Sequence, residues 1–313
     1  MATGQSTDIV YAYAVQVDAD TAATGTFTSL KRRSGTFTSA VADIDDGEQS
    51  SGRLADAPGA GRKSHTASFE FSFRELVYDD IIRSAFASDF VTSGSNDILS
   101  LAKAPVYFTF IVYNPYLEAA RQYTQYVGCT VTSLGFTFPQ DGYIGLTVDI
   151  GAANKTYPAT QPWATLVDAA AKTKIRFCAA DASIKLATKT ADALAEVGSI
   201  VNQISFNLSN ASEELSDVRQ CDPSQILLGA ATVSGDINAY HDDESDQWHR
   251  DADDVEETKI QWQWECETTT YRIDIPRATN KSPGQDPSGT TVAVNLPWGA
   301  VSDSPTITKF ANA

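Results

Sequence analysis

Residues 126–152 read YVGCTVTSLGFTFPQDGYIGLTVDIGA, and their reading decides the fold. In the second part Ile144, Leu146, Val148 and Ile150 alternate with Gly145, Thr147 and Asp149. Successive side chains of a strand point to opposite faces, so this period of two predicts a half-buried strand. Pro139-Gln140-Asp141-Gly142 supplies the turn before it, because proline has no N–H to continue a ladder and glycine tolerates positive φ. The stretch reads as a hairpin closing a sheet begun earlier in the chain. It belongs to an assembly sheet, since the sequence offers no convincing catalytic constellation.

Upstream, Ala67, Phe69, Phe71 and Phe73 alternate with Ser68, Glu70, Ser72 and Arg74, a second strand of the same kind. Val77, Ile81, Ile82 and Phe86 then stand at helical spacing behind Asp79 and Asp80, which suit the positive end of a helix dipole. The β-branched and aromatic run PVYFTFIVY at 105–113 predicts a strand. Residues 43–63 and 209–227 are turn-rich and poor in large apolar residues, and both are expected as long loops. Downstream, the order strand, long loop, strand, helix-like segment, strand, hairpin returns. It runs through 200–208, 233–240, the acidic HDDESDQWHRDADD, 258–267, 271–275 and 291–296. Repeated supersecondary order with slight identity implies two similar units. The expected division is 1–157, a linker or inserted segment at 158–197, and 198–313.

The chain has 313 residues, enough for two medium cores, and its 23 basic against 40 acidic residues give a net charge of −17. The excess is spread along the sequence. Such a surface repels nucleic-acid phosphates and argues against wrapping or sequence-specific DNA binding. Cys129, Cys178, Cys221 and Cys266 are widely spaced and form no CxxC pair, so neither a disulfide framework nor a zinc knuckle is expected. The start MATGQSTDIV carries no basic-then-apolar leader, and no apolar run reaches membrane-spanning length. A β-rich protein made in the cytoplasm is expected.

Each candidate chemistry has a plainer reading. His241 and His249 flank an acidic segment, but their spacing provides no third metal ligand, and a solvated acidic helix or loop accounts for them. Asp43-Ile44-Asp45-Asp46-Gly47 misses the calcium-loop pattern, with Leu54 where the bidentate glutamate belongs. No nucleophile elbow or phosphate loop is present. Trp262 and Trp264 alternate in phase with Ile260 and Cys266, which predicts core. No metal or cofactor is expected.

Several stretches together resemble the major tail tube proteins of long-tailed, siphovirus-like bacteriophages, in the form with two tube domains in one polypeptide. They are Leu30-Lys-Arg-Arg-Ser-Gly-Thr-Phe37, Ser50-Ser-Gly-Arg53, Ser68-Phe-Glu-Phe-Ser-Phe73 with Tyr78-Asp-Asp-Ile81, Tyr126-Val-Gly-Cys129, Val131-Thr-Ser-Leu134 and 142–151. In the second half Arg219, Val233-Ser-Gly235 and 271–276 fit the same pattern. The resemblance implies a mainly β fold of two tandem β-sandwich domains, each with a short flanking helix. Their inner sheets would join into a closed barrel on oligomerisation. It further implies homotrimeric rings with pseudo-six-fold symmetry, stacked into a tube in the virion tail. A tape measure protein would fill the lumen, tail terminator and tail-tip proteins would cap the ends, and DNA would pass without specific binding.

On that basis the lumen-facing residues are expected to be Glu70, Asp149, Asp236 and Glu265, with Ser72, Thr147, Asn238 and Gln263. Asp45, Asp46, Arg53, Arg62 and Arg219, on the two long loops, are expected to contact the next ring. Two other classes compete. One is a non-tubular β-sandwich binding module of a virion: a tail tip, an adhesin or a capsid decoration. The other is a glycosidase using two of the carboxylates.

Overall fold

The computed structural model describes residues 8–44, 59–169, 172–176, 182–187, 193–253, 257–280, 284–286 and 292–312. The fold is mainly β, and its sheet is not closed into a barrel within the single chain. β1 (Val10–Val15) and β2 (Thr26–Leu30) precede a long hairpin, β3 (Arg32–Ile44) and β4 (Gly59–Ser72). Helix α1 (Asp79–Phe86) and a small hairpin, β5 (Val91–Ser93) and β6 (Asn96–Ser100), follow. Then come β7 (Phe108–Tyr113), β8 (Tyr123–Pro139), β9 (Gly145–Ala152) and β10 (Asn154–Thr156).

Residues 158–197, expected as a linker or insertion, contribute strands: β11 (Thr165–Asp168), β12 (Ala182–Ala187) and β13 (Ala195–Glu196). A second long hairpin, β14 (Val201–Ser216) and β15 (Pro223–Tyr240), leads into helix α2 (Asp243–Asp253). The chain ends with β16 (Glu257–Glu265), β17 (Thr269–Asn280), β18 (Gly284–Asp286), β19 (Ala293–Ala300) and β20 (Thr306–Ala311). Residues 209–227 are therefore a strand–turn–strand arm, not the loop the composition suggested.

One long antiparallel sheet runs β3-β4-β9-β8-β14-β15-β19-β18. Two smaller sheets cover its apolar face. The first is β11-β2-β1-β7-β8, and the second is β13-β12-β16-β17-β20-β6-β5. β8 serves both layers: its first part pairs with β7 and β10, its second with β9 and β14. The corner is at Gly128, whose φ of 64° favours glycine and where a Cβ would come within 2.7 Å of the Ala19 carbonyl oxygen.

The expected repeat is present at the level of backbone pairing. β3, β4, β7, β8 and β9 correspond to β14, β15, β16, β17 and β19 by their partners. Register shifts fall at matching places: Arg32/Ser34 and Val201/Gln203, Val41/Asp43 and Asn210/Ser212, Phe108/Phe110 and Thr258/Ile260. A bulge bends a strand and fixes its register, so the two units keep the same bends where their side chains differ.

The core is shared. Phe73 and Phe138 from the first half pack on Trp264, with ring centroids 5.8 and 5.0 Å away, and Phe138 also meets Trp262 at 6.0 Å. Trp262 in turn touches Trp298 at 6.1 Å, and all three tryptophans are buried. Tyr271 donates a hydrogen bond to Asp79 on α1 at 2.9 Å, and Lys309 reaches the same carboxylate at 2.8 Å. Removing a fully buried indole leaves a cavity, so Trp264→Ala is expected to cost about 3–5 kcal/mol in urea unfolding. Because one core spans both halves, the unfolding of the unassembled chain should be a single transition. Two separated transitions would show that the halves are not coupled as described.

Candidate functional site

The outward face of the long sheet is a set of rows of short polar side chains. One cross-strand row reads Ser34, Glu70, Thr147, Gly135, Asn207, Ser234. The next reads Thr36, Ser68, Asp149, Ser133, Ser209, Thr232. A third reads Ser72, Gly145, Thr137, Ser205, and Ser205 continues to Asp236 through a 2.9 Å hydrogen bond from the Asp236 amide to its hydroxyl. A fourth joins Gln203 to Asn238 and Asn295. The charged groups on these rows are the carboxylates Glu70, Asp149 and Asp236; Arg33 stands at the foot of the sheet beside Gly145.

Of the expected lumen residues, Glu70, Thr147, Asp149, Asp236 and Asn238 thus share one face. Ser72 is in phase with them but buried at 5% exposure, so it presents nothing to a lumen. Gln263 and Glu265 lie elsewhere: β16 belongs to a cover sheet, and its Trp262 and Trp264 face the core. Gln263 and Glu265 therefore point away from the polar rows, on the opposite side of the molecule. Ser68, Ser133, Thr137, Gln203, Ser205 and Asn207 are on the face but were not singled out from sequence. The alternation around Phe136 and Phe206 carries that signal.

The two halves are joined edge to edge. Ser133 to Pro139 of β8 pair antiparallel with Ser209 to Gln203 of β14, with Phe136 opposite Phe206 and Gly135 opposite Asn207. Gly135 permits a close approach, since a Cβ there would lie 2.9 Å from Asn207 Oδ1. β3 pairs only with β4, and β18 only with β19, among the described residues, so the long sheet ends in two open edges. Gly284 occupies the position on β18 that Gly135 occupies on β8, and a Cβ there would meet nothing within 4 Å.

The second arm crosses the first half. Asn210 Nδ2 donates to the carbonyls of Ala85 (2.8 Å) and Val131 (3.4 Å), and Gln225 reaches the Tyr107 hydroxyl at 2.6 Å. Asp222 is clamped by His65 Nε2 at 3.0 Å and Lys63 Nζ at 3.1 Å, and the Lys63 amide donates to the Cys221 carbonyl at 2.9 Å. His65 is 2% exposed, and its Nδ1 lies 2.9 Å from Ser39 Oγ. Partial burial works against ionisation of Asp222, but the bonds from His65 and Lys63 outweigh it and hold the carboxyl below its ordinary range. Arg219, at the arm's turn, is exposed and pairs with Asp217 at 3.0 Å. Arg62 is exposed on the first arm; Asp45, Asp46 and Arg53 lie outside the described residues.

A sequence model of the phage tail tube protein family matches residues 6–300. The chain belongs to that family. No curated protein matches it. This tail tube protein is a structural component of a phage particle, and its family implies assembly of many copies into the tail tube.

Truncating Asp222 would leave the buried His65 without its partner, an expected loss of about 1–3 kcal/mol for Asp222→Ala. A carboxyl depressed in the folded state contributes above its unfolded pKa of about 3.9 and ceases to contribute as pH falls through its lowered value. The stability gap between wild type and Asp222→Ala should therefore narrow below about pH 4. Thermal melts across pH 3–7 would measure it.

Proposed function

We propose that three copies close a ring by repeating between chains the edge pairing that joins the two halves within one chain. The β8–β14 joint carries this reading. β3 is the counterpart of β14, and β18 continues the counterpart of β8, so each chain ends in the two complementary edges of its own internal joint. Transferring the register places Thr38 of one copy opposite Gly284 of the next, as Asn207 stands opposite Gly135. Open edges invite pairing with another chain, and closure into a ring removes them. Two similar units per chain make the ring pseudo-six-fold. The first tube domain lies within 1–157 and the second within 198–313, with β12 and β13 added to the second as outer strands.

Rings of this kind stack into the hollow tube of a siphovirus-like tail. The polar rows line the lumen. Their three carboxylates repel DNA phosphates and outnumber the single cation beside them, Arg33 at the foot of the sheet, so DNA slides through during ejection without specific binding. A tape measure protein occupies the lumen beforehand, and terminator and tip proteins close the two ends. The chain is made in the host cytoplasm, engages no membrane and performs no catalysis. Arg62 and Arg219 face the neighbouring ring; Asp45, Asp46 and Arg53, expected to join them, lie outside the described residues.

A Thr38→Cys/Gly284→Cys variant, in a background with Cys178 and Cys221 replaced by serine, tests the closure. After assembly and oxidation, a non-reducing gel should show a ladder ending at three copies. Ladders running past three, or monomers alone from assembled material, would overturn the trimeric ring. Replacing Glu70, Asp149 and Asp236 together by lysine should preserve tubes and make them retain DNA in a salt-dependent way; unaltered DNA retention would contradict the lumen assignment.

A further inference from the structure

Past the last polar row, at the foot of the long sheet, a short segment from outside it is laid between the ends of β4 and β9. Lys174 bridges to Arg74 and Arg176 to Tyr143. Between them the Ile175 amide donates to the Phe73 carbonyl at 3.1 Å, and the Ile144 amide donates to the Ile175 carbonyl at 2.9 Å. Ile175 is buried, which turns its neighbours Lys174 and Arg176 outward, and both are exposed. Lys174 Nζ and the Arg176 guanidinium each lie 5.2 Å from the centre of the Tyr143 ring. Tyr143 in turn lines a cavity of about 280 Å³ with Arg33, Glu70, Asp141 and Thr147, so these cations stand at the end of the polar face. Among the described residues, none of Arg33, Lys174 and Arg176 forms an ion pair. Arg74, 7% exposed beside them, gives Nη1 to the Lys172 carbonyl at 2.6 Å, while its buried Nε has no acceptor among the described residues.

The second half has no such cluster. The repeat puts Asn202 in the place of Arg33 and Asp242 in the place of Arg74. Four cations without a carboxylate partner, in a chain of net charge −17, make a site for an anion from outside the chain. We infer that this cluster contacts the phosphates of DNA at one mouth of the lumen, once per chain. The inference rests on the polar face being the lumen, as proposed above. Lys174 and Arg176 stand about 7 Å apart along an extended segment. Each DNA strand offers a charge about every 3.4 Å, so the pair meets a phosphate at any register. Tyr143 orders both side chains through its ring face without consuming their N–H donors. Such a contact carries no sequence information. Asn202 and Asp242 of the second halves separate the clusters around the ring, so DNA is slowed at separate points and never gripped by a continuous cationic belt.

A fluorescein-labelled short DNA duplex, titrated with the unassembled chain at low salt and read by anisotropy, tests the cluster without requiring tubes. Lys174→Gln/Arg176→Gln should weaken binding about tenfold or more and reduce the salt slope by about two. The charge-preserving exchange Lys174→Arg/Arg176→Lys should bind as wild type does, which separates lost charge from lost packing on Tyr143. Wild-type binding and salt slope in the glutamine variant, or no binding by the wild-type chain, would overturn the inference. The tubes of the Glu70, Asp149 and Asp236 lysine variant test the lumen separately. If those tubes retain DNA while the glutamine variant binds the duplex unchanged, the cluster falls and the lumen stands. The same holds if the glutamine variant binds the duplex unchanged but no longer forms tubes, which would make the cluster a contact between rings. If the lysine tubes do not retain DNA, the lumen reading falls and takes with it the placement of the contact at its mouth.

Discussion

Everything in this molecule depends on what happens at the edges of one sheet. A strand edge presents unpaired N–H and C=O groups, and burying them without partners costs more than any single side-chain contact returns. Within the chain the edge of β8 is satisfied by β14, and that pairing turns two similar units into one continuous sheet. The same pairing leaves β3 and β18 as the next edges to be satisfied. In the proposed ring, oligomerisation continues folding. The backbone groups that hold the halves together are of the same kind as those that would hold the copies together.

Stability and function divide between the two faces of that sheet. The inward face carries Phe69, Phe71, Phe136, Phe138, Phe206, Ile237 and Trp298, all buried, with Trp262 and Trp264 of a cover sheet packed on them. The outward face carries hydroxyls, amides and three carboxylates. Strand periodicity makes the division automatic, since each residue that adds to the core places a polar neighbour on the other side. A tube protein needs this arrangement. In the proposed ring the core must be rigid enough to fix the curvature, while the face assigned to the lumen must bind little.

Much of this was legible in the sequence because half-buried strands advertise themselves. The alternation at 67–73, 144–150, 233–239 and 260–266 gave the right strands and the right buried residues. The arms were not legible. A two-stranded ribbon exposed on both faces needs no apolar alternation, so 209–227 has the composition of a loop while forming the ends of β14 and β15. Gln263 and Glu265 show a second limit: alternation tells which side of a strand faces the core but not which layer the strand joins. His65 shows a third. It stands in phase with Ala67 and Phe69, which marks it as buried, yet its partner Asp222 is 157 positions away and could come only from the fold.

The account turns on the claim that copies meet as the halves do. A cryo-electron microscopy reconstruction of tubes assembled from the purified chain tests it most directly, read in a section across one ring. The account predicts six lobes made by three chains, with β3 of each chain one strand spacing, about 4.8 Å, from β18 of the next. Rings built from six chains, or lobes that meet with the β3 edge left bare, would contradict it.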